Sequence, residues 1–372
     1  MTFNALELAA APVRAIAPYV PGKPLSELER EYGITDSIKL ASNENPLGPG
    51  PKARSAMANA LQGIGLYPDG NGFELKQALA KKYACSVDHI TLGNGSNDVL
   101  VMLAEAFLSP AVEAVYSQYC FAIYPIAVQA AGATARVAAA YPNTHAMALG
   151  HDLQGMSRLI NERTRLIFVA NPNNPTGTWV TADALKAFIA SVPKDILVVV
   201  DEAYIEYVQH NEFPDASQWI DEFDNLVVTR TFSKAYGLAG LRVGYALSHP
   251  SVAAVLNRVR QPFNVSSIAL AAATAALEDA DHLKQSIELN AHGMQQVLGG
   301  IQALGLRVYP SQGNFVLIDC ARAGALVNEA MLRQGVIVRP VAGYGLPTQL
   351  RITIGTEQEN ARMLSALALA IK

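Results

Sequence analysis

The sequence predicts an α/β fold: a large unit built on a mostly parallel sheet flanked by helices, followed by a smaller α+β unit. Three observations carry this. Continuous apolar runs, Leu166-Ile-Phe-Val-Ala170 and Ile196-Leu-Val-Val-Val200, lie between helix-patterned stretches, as strands buried on both faces of a parallel sheet do. Each run ends in polar residues, Asn171 to Gly177 and Asp201 to Tyr204, and ligands of such sheets bind beyond the carboxyl ends of the strands. After Ser248 the pattern changes to long helices, then to short strands alternating with a helix.

Composition sets the outer limits. The chain has 372 residues, 51% hydrophobic and 16% charged, enough for a large core in about two domains. Its net charge is −4 with no block of like charge, so nucleic acid is not an expected partner. Cys85, Cys120 and Cys320 are far apart and odd in number, which argues for a reducing cytoplasm rather than a disulfide framework. The seven histidines show no metal spacing, and no metal is expected. The start of the chain carries Glu7 and no basic segment, so no secretory signal is expected. No apolar run approaches the roughly 20 residues that span a membrane.

Residues 1–30 read as an arm, because Pro12, Pro18, Pro21 and Pro24 break any long helix; Tyr19 lies among them. Residues 31–262 form the expected large unit and 263–372 the small one. A short strand at Lys39 enters a turn-rich loop to Pro49, where Asn43 and Asn45 suit turns. Tyr67 precedes a proline in a second loop, Gly65 to Gly70. A helix is predicted over Phe73–Tyr83. Then Ile90-Thr-Leu-Gly-Asn-Gly-Ser-Asn-Asp98 leads from a strand into a helix, Val99–Leu108. Such a turn aims backbone N–H groups, with Ser96 and Asn97, at an anion. The third glycine of a dinucleotide fingerprint is missing. Residues Ala111–Ala131 read as partly helical and Ala182–Ala190 as a helix.

The densest chemistry lies in Thr229 to Tyr245, between predicted strands Asn225–Thr231 and Val243–Ser248. Ser233 and Lys234 are followed eight residues on by Arg242, with Gly237, Gly240 and Gly244 in the same loop. Taken alone, this also fits a surface Lys and Arg in a flexible loop. A lysine that can condense with an aldehyde, beside a hydroxyl and a guanidinium that can hold a phosphate, suits pyridoxal phosphate. Asp201 could keep that cofactor's ring nitrogen protonated. Asn174 and Tyr204 could bond its phenolic oxygen; Tyr119 could stack on its face or be an ordinary core tyrosine. Beyond Ser248 the sequence predicts helices Val252–Val259 and Ser266 to about Leu304. Strands Leu306–Tyr309 and Phe315–Asp319, helix Ala325–Gln334, strands Val336–Pro340 and Leu350–Gly355, and helix Glu357–Ile371 follow.

Asn174-Pro-Thr-Gly177, Asp201-Glu-Ala-Tyr204 and Ser233-Lys234 with Arg242 resemble, in order, the signature of the fold-type I pyridoxal-phosphate enzymes, the aspartate aminotransferase superfamily. Leu40 to Pro49, Leu66-Tyr-Pro68 and Leu350-Arg-Ile-Thr-Ile-Gly355 are similar, within it, to the histidinol-phosphate aminotransferases. The resemblance implies a seven-stranded large-domain sheet, Lys234 as the cofactor-bearing lysine, Asp201 as its ring-nitrogen partner and Tyr119 as the stacking ring. It implies a homodimer in which Tyr67 reaches the neighbouring subunit's cofactor phosphate. Arg351 then takes the substrate anion, Arg339 and Tyr19 its phosphate, and Asn43 lies in the substrate site. The run Tyr116-Ser-Gln-Tyr-Cys120 lacks the prolines the family has there.

The implied reaction is transamination of L-histidinol phosphate with 2-oxoglutarate, a step of histidine biosynthesis. Relatives on the same fold use aromatic amino acids or decarboxylate threonine phosphate. A non-catalytic regulator would carry a fused DNA-binding domain, for which residues 1–30 are too short and too proline-broken.

Overall fold

The computed structural model describes residues 3–372. Strands β1 (Ile38–Lys39), β2 (Ile90–Gly93), β3 (Glu113–Ser117), β4 (Thr134–Ala138), β5 (Thr164–Ala170), β6 (Leu197–Asp201), β7 (Leu226–Thr231) and β8 (Gly244–Ser248) precede residue 250. Strands β9 (Arg307–Val308), β10 (Phe315–Asp319), β11 (Val336–Ile337), β12 (Arg339–Pro340) and β13 (Gln349–Thr353) follow it. Seven strands form one sheet in the order β2-β8-β7-β6-β5-β3-β4. All its pairings are parallel except those of β8, which runs antiparallel to both neighbours. The expected α/β architecture is present.

Side chains alternate across this sheet, so each strand feeds two cores. One face sends Val198, Val200 and Val228 against helices Phe73–Tyr83, Ala182–Ser191 and Ser267–Leu277. The other sends Val199, Val227 and Phe168 against helices Ser96–Phe107, Ile123–Ala130 and Pro250–Val259. Helix Ser267–Leu277 starts where the Ser266 hydroxyl accepts from the Ala269 N–H. Its alanines 269, 272, 273 and 276 lie in the first core, although they follow residue 263. A third core belongs to the four-stranded sheet β12-β13-β10-β9. There Val316, Ile318, Leu350 and Ile352 meet Val297, Met331 and Leu367 from the helices around them. The final helix, Glu357–Ala370, opens with a reciprocal cap between Thr356 and Glu359.

Three expectations change. The stretch expected to be partly helical over 111–131 begins with β3, and only Ile123–Ala130 is an α-helix. Glu113 hid the strand: it is fully buried, held by Arg136 Nε at 2.6 Å and Asn161 Nδ2 at 2.8 Å. Edge strand β4, with four exposed residues of five, had too little apolar signal to be predicted. The run Val336–Pro340 is two strands in different sheets: β11 pairs with β1, and β12 with β13. In the arm, the prolines leave two four-residue helices, Ala5–Leu8 and Ala11–Arg14, before helix Leu25–Tyr32.

Candidate active site

The carboxyl ends of β5, β6 and β7 deliver Asn174, Asp201 and Lys234 to one cavity. At the same edge of the sheet, β2 ends at Gly93 and the helix starting at Ser96 brings Ser96 and Asn97 to the same cavity. Arg242 takes a left-handed backbone, φ 55°, and its Nη1 donates to Ser233 Oγ at 3.1 Å. Gly95 sits beneath it with φ 80°, and a Cβ there would collide with the guanidinium. A Cβ on Gly244 would strike the Ser96 backbone nitrogen. The two glycines thus let a guanidinium and a serine hydroxyl close over a helix N-terminus, a phosphate-sized cradle.

Asp201 is buried, and both carboxylate oxygens are held. Tyr124 Oη donates to Oδ2 at 2.9 Å and Thr229 Oγ1 to Oδ1 at 3.0 Å. Burial raises its pKa, while the two hydroxyls and the nearby Lys234 charge oppose that rise. Lys234 is pushed the other way. Burial, then the Arg351 charge, lower its ammonium to about 7, with Glu44 opposing and Arg242 and Lys39 assisting. Its Nζ donates to the Ser42 carbonyl at 3.0 Å. A lysine near neutrality is both a nucleophile and a usable base at ordinary pH.

The residue after Asp201 faces the other side of the sheet. Glu202, fully buried, receives Arg230 Nε at 3.0 Å and Nη2 at 2.6 Å on Oε2. Arg230 also donates from Nη1 to Tyr83 Oη at 2.8 Å. Burial pushes Glu202 up to about 7 against the Arg230 charge.

The other sequence-predicted residues do not line this cavity. Arg351 is buried; its Nη1 donates to Asn174 Oδ1 and its Nη2 to the Ala41 carbonyl at 2.6 Å. Arg339 donates from Nη2 to the Val20 carbonyl at 2.6 Å and lies 5.5 Å from the Tyr19 ring centre, so strand and arm meet there. Asn43 is buried behind Tyr204, with its Nδ2 donating to Tyr204 Oη at 2.9 Å. Tyr67 is 82% exposed, stacked on Phe263 at 4.7 Å, and does not line its own chain's cavity. Tyr119 does not line it either; it packs against the cluster that contains Tyr309, Leu317 and Leu346, and Phe121 lines the wall instead.

Two comparisons decide the family. The profile described as aminotransferase class I and II matches residues 35–367. The chain is 57% identical over 364 residues to histidinol-phosphate aminotransferase 2 of Pseudomonas aeruginosa, covering 97% of both chains. The chain belongs to the class I and II aminotransferases. A relative from Nitrosococcus oceani, histidinol-phosphate aminotransferase 1, is 53% identical over 366 residues, covering 98% of this chain and 97% of its own. Among solved structures, histidinol-phosphate aminotransferase from Sinorhizobium meliloti, in complex with pyridoxal-5'-phosphate, superposes with a TM-score of 0.88 at 30% identity. That match covers 98% of this chain and 97% of the other.

In this aminotransferase, sequence reasoning missed Tyr124, Thr229 and Phe121. Tyr124 stands among apolar residues of an eight-residue helix, Ile123–Ala130, where a lone hydroxyl was the available signal. Thr229 is the direct partner of Asp201 across β6 and β7, a relation legible once the strands are aligned. The donor set fits pyridoxal phosphate: a depressed lysine, a fixed buried carboxylate and a glycine-lined anion cradle share one cavity.

Proposed function

We propose that the chain transfers the amino group of L-histidinol phosphate to 2-oxoglutarate, giving imidazole acetol phosphate and glutamate, with pyridoxal phosphate held on Lys234. The full-length likeness to the Pseudomonas and Nitrosococcus relatives supports the reaction. The observation that carries the substrate is Arg351 beside Arg339 on paired strands. Among the described residues their guanidiniums bond backbone carbonyls and an amide, not carboxylates, so an anion is the missing partner.

Bound in this cavity, pyridoxal phosphate supplies an electron sink. Asp201, fixed by Tyr124 and Thr229, holds the proton on the ring nitrogen. Ser96, Asn97, Ser233 and Arg242 would grip the phosphate, and Asn174 and Tyr204 would hold the phenolic oxygen. Phe121, which lines the cavity, would cover the ring face, the place the resemblance implies for Tyr119. Lys234 Nζ, neutral above about pH 7, would, once the substrate amine has displaced it from the cofactor, carry the proton between the substrate carbon and the cofactor. Arg351 binds the carboxylate of glutamate and, with Arg339 and Tyr19, the phosphate of the other substrate.

Tyr67 acts in the neighbouring subunit of a homodimer, a reading supported by its exposure and its absence from the lining of its own cavity. The three unpaired cysteines support a cytoplasmic enzyme. Side-by-side kcat/KM on histidinol phosphate, phenylalanine and threonine phosphate tests the substrate. Histidinol phosphate should lead clearly; equal turnover of phenylalanine would make this an aromatic aminotransferase.

A further inference from the structure

Asn43 is 1% exposed and takes a left-handed backbone, φ 54°, which Asn tolerates better than most residues. Thr353 on β13 grips it twice. The Asn43 N–H donates to Thr353 Oγ1 at 2.9 Å, and Thr353 Oγ1 donates to Asn43 Oδ1 at 3.1 Å. Asn314 Nδ2 holds the Asn43 carbonyl at 3.0 Å. The remaining donor, Asn43 Nδ2, goes to Tyr204 Oη at 2.9 Å.

This closed ring has a direction. The Thr353 hydroxyl is buried, and its hydrogen has Asn43 Oδ1 as acceptor. The amide oxygen is therefore occupied, and the amide nitrogen must face Tyr204. The Tyr204 oxygen receives that N–H, so its own hydrogen is free for the cavity that Tyr204 lines. Without Asn43 the phenol could rotate or receive from the cavity side.

We propose that Asn43 and Thr353 are positioning residues that aim the Tyr204 O–H at the phenolic oxygen of bound pyridoxal phosphate, and so set how tightly that oxygen holds the proton next to it. The proposal rests on the cofactor reading above. An O–H donated to a phenolate draws charge from it and weakens its hold on a neighbouring proton. Losing the aim leaves that proton bound to higher pH. Thr353 lies two residues from Arg351 on the same face of β13. The strand that carries the anion-binding arginine is thus joined to the cofactor's phenolic edge through three side chains.

The test is a pH titration of the visible cofactor band of purified holoenzyme. Thr353→Val and Asn43→Ala should each move the midpoint upward by about one to two pH units, the size expected for one hydrogen bond to a charged group. Thr353→Ser, which keeps the hydroxyl, should return it close to wild type. If Asn43→Ala does not fold, the Thr353→Val and Thr353→Ser pair decides alone. Unmoved midpoints would overturn the proposal, as would an equal shift in Thr353→Ser, which would assign the effect to packing. A wild-type protein without any cofactor band would overturn the cofactor reading itself, and this proposal with it.

Discussion

Arg339 and Arg351 are direct partners across the antiparallel pair β12–β13. Partners of this kind project to the same face of the sheet, and like charges placed so are destabilising unless something neutral or negative intervenes. Arg351 has Nε buried without a partner, an unmet donor of the kind a bound anion satisfies. A bound anion would supply the charge that this pair lacks.

Arg351→Ala should therefore abolish both half-reactions, whereas Arg339→Ala should act mainly on the phosphorylated substrate. Losing one charge-assisted contact of about 1.5–3 kcal/mol predicts a drop of roughly 10- to 150-fold in kcat/KM for histidinol phosphate. The value for glutamate should fall much less. Half-reaction kinetics followed by cofactor absorbance would measure both, and equal losses for the two substrates would remove Arg339 from the phosphate site.

Phe121 and Tyr119 make a second contrast. Phe121 lines the cavity and Tyr119 does not. Phe121→Ala should weaken retention of pyridoxal phosphate during dialysis, because an aromatic face worth about 0.5–1.5 kcal/mol beyond its area is lost. Tyr119→Phe should retain the cofactor like wild type. The reverse ranking would restore the stacking role to Tyr119.

Lys234 ties stability of the cofactor-free protein to pH. Its folded pKa, about 7, lies below the ordinary lysine value of 10.5. Between those values the folded chain binds fewer protons than the unfolded chain, so stability rises with pH across that window. Below about 7 the lysine is charged in both states, and the full cost of burying that charge is present. Lys234→Met should thus raise the melting temperature of the apoprotein near pH 7, and the gain should shrink as pH approaches 10.5. A gain independent of pH would show that Lys234 is not depressed.

Tyr67, if it serves a partner's site, should be separable from Lys234 by complementation. Tyr67→Ala and Lys234→Ala should each be nearly inactive, and mixing them under subunit exchange should recover part of the activity. One site of the heterodimer then has both residues intact. Proven exchange without recovery would leave Tyr67 outside the partner's site.

What the sequence made legible were strand ends. Asn174, Asp201 and Lys234 each follow a run of buried aliphatics, and the jump from apolar to polar marks both the element boundary and the site. Side-chain direction inside aromatic-rich stretches was not legible. Tyr116, Tyr119, Phe121 and Tyr124 fall within nine residues, and which ring meets the cavity depends on the turn between β3 and the helix at Ile123. Asn43 read as a turn residue because its contacts are long-range: Thr353 lies 310 positions away. β3 was hidden by a buried glutamate whose arginine partners lie on other segments.

Asp201 and Glu202 are adjacent, yet one faces the cavity and the other the Arg230 network. β6 therefore sorts two chemically similar carboxylates by phase alone, and a slip of one residue would exchange them. Insertions or deletions in the preceding turn, Pro193 to Asp195, must be absorbed before Leu197. A deletion transmitted into the strand would carry Glu202 towards the cavity and strand Arg230 opposite an apolar face. Such a length variant should keep near-native far-UV circular dichroism while emerging from purification colourless.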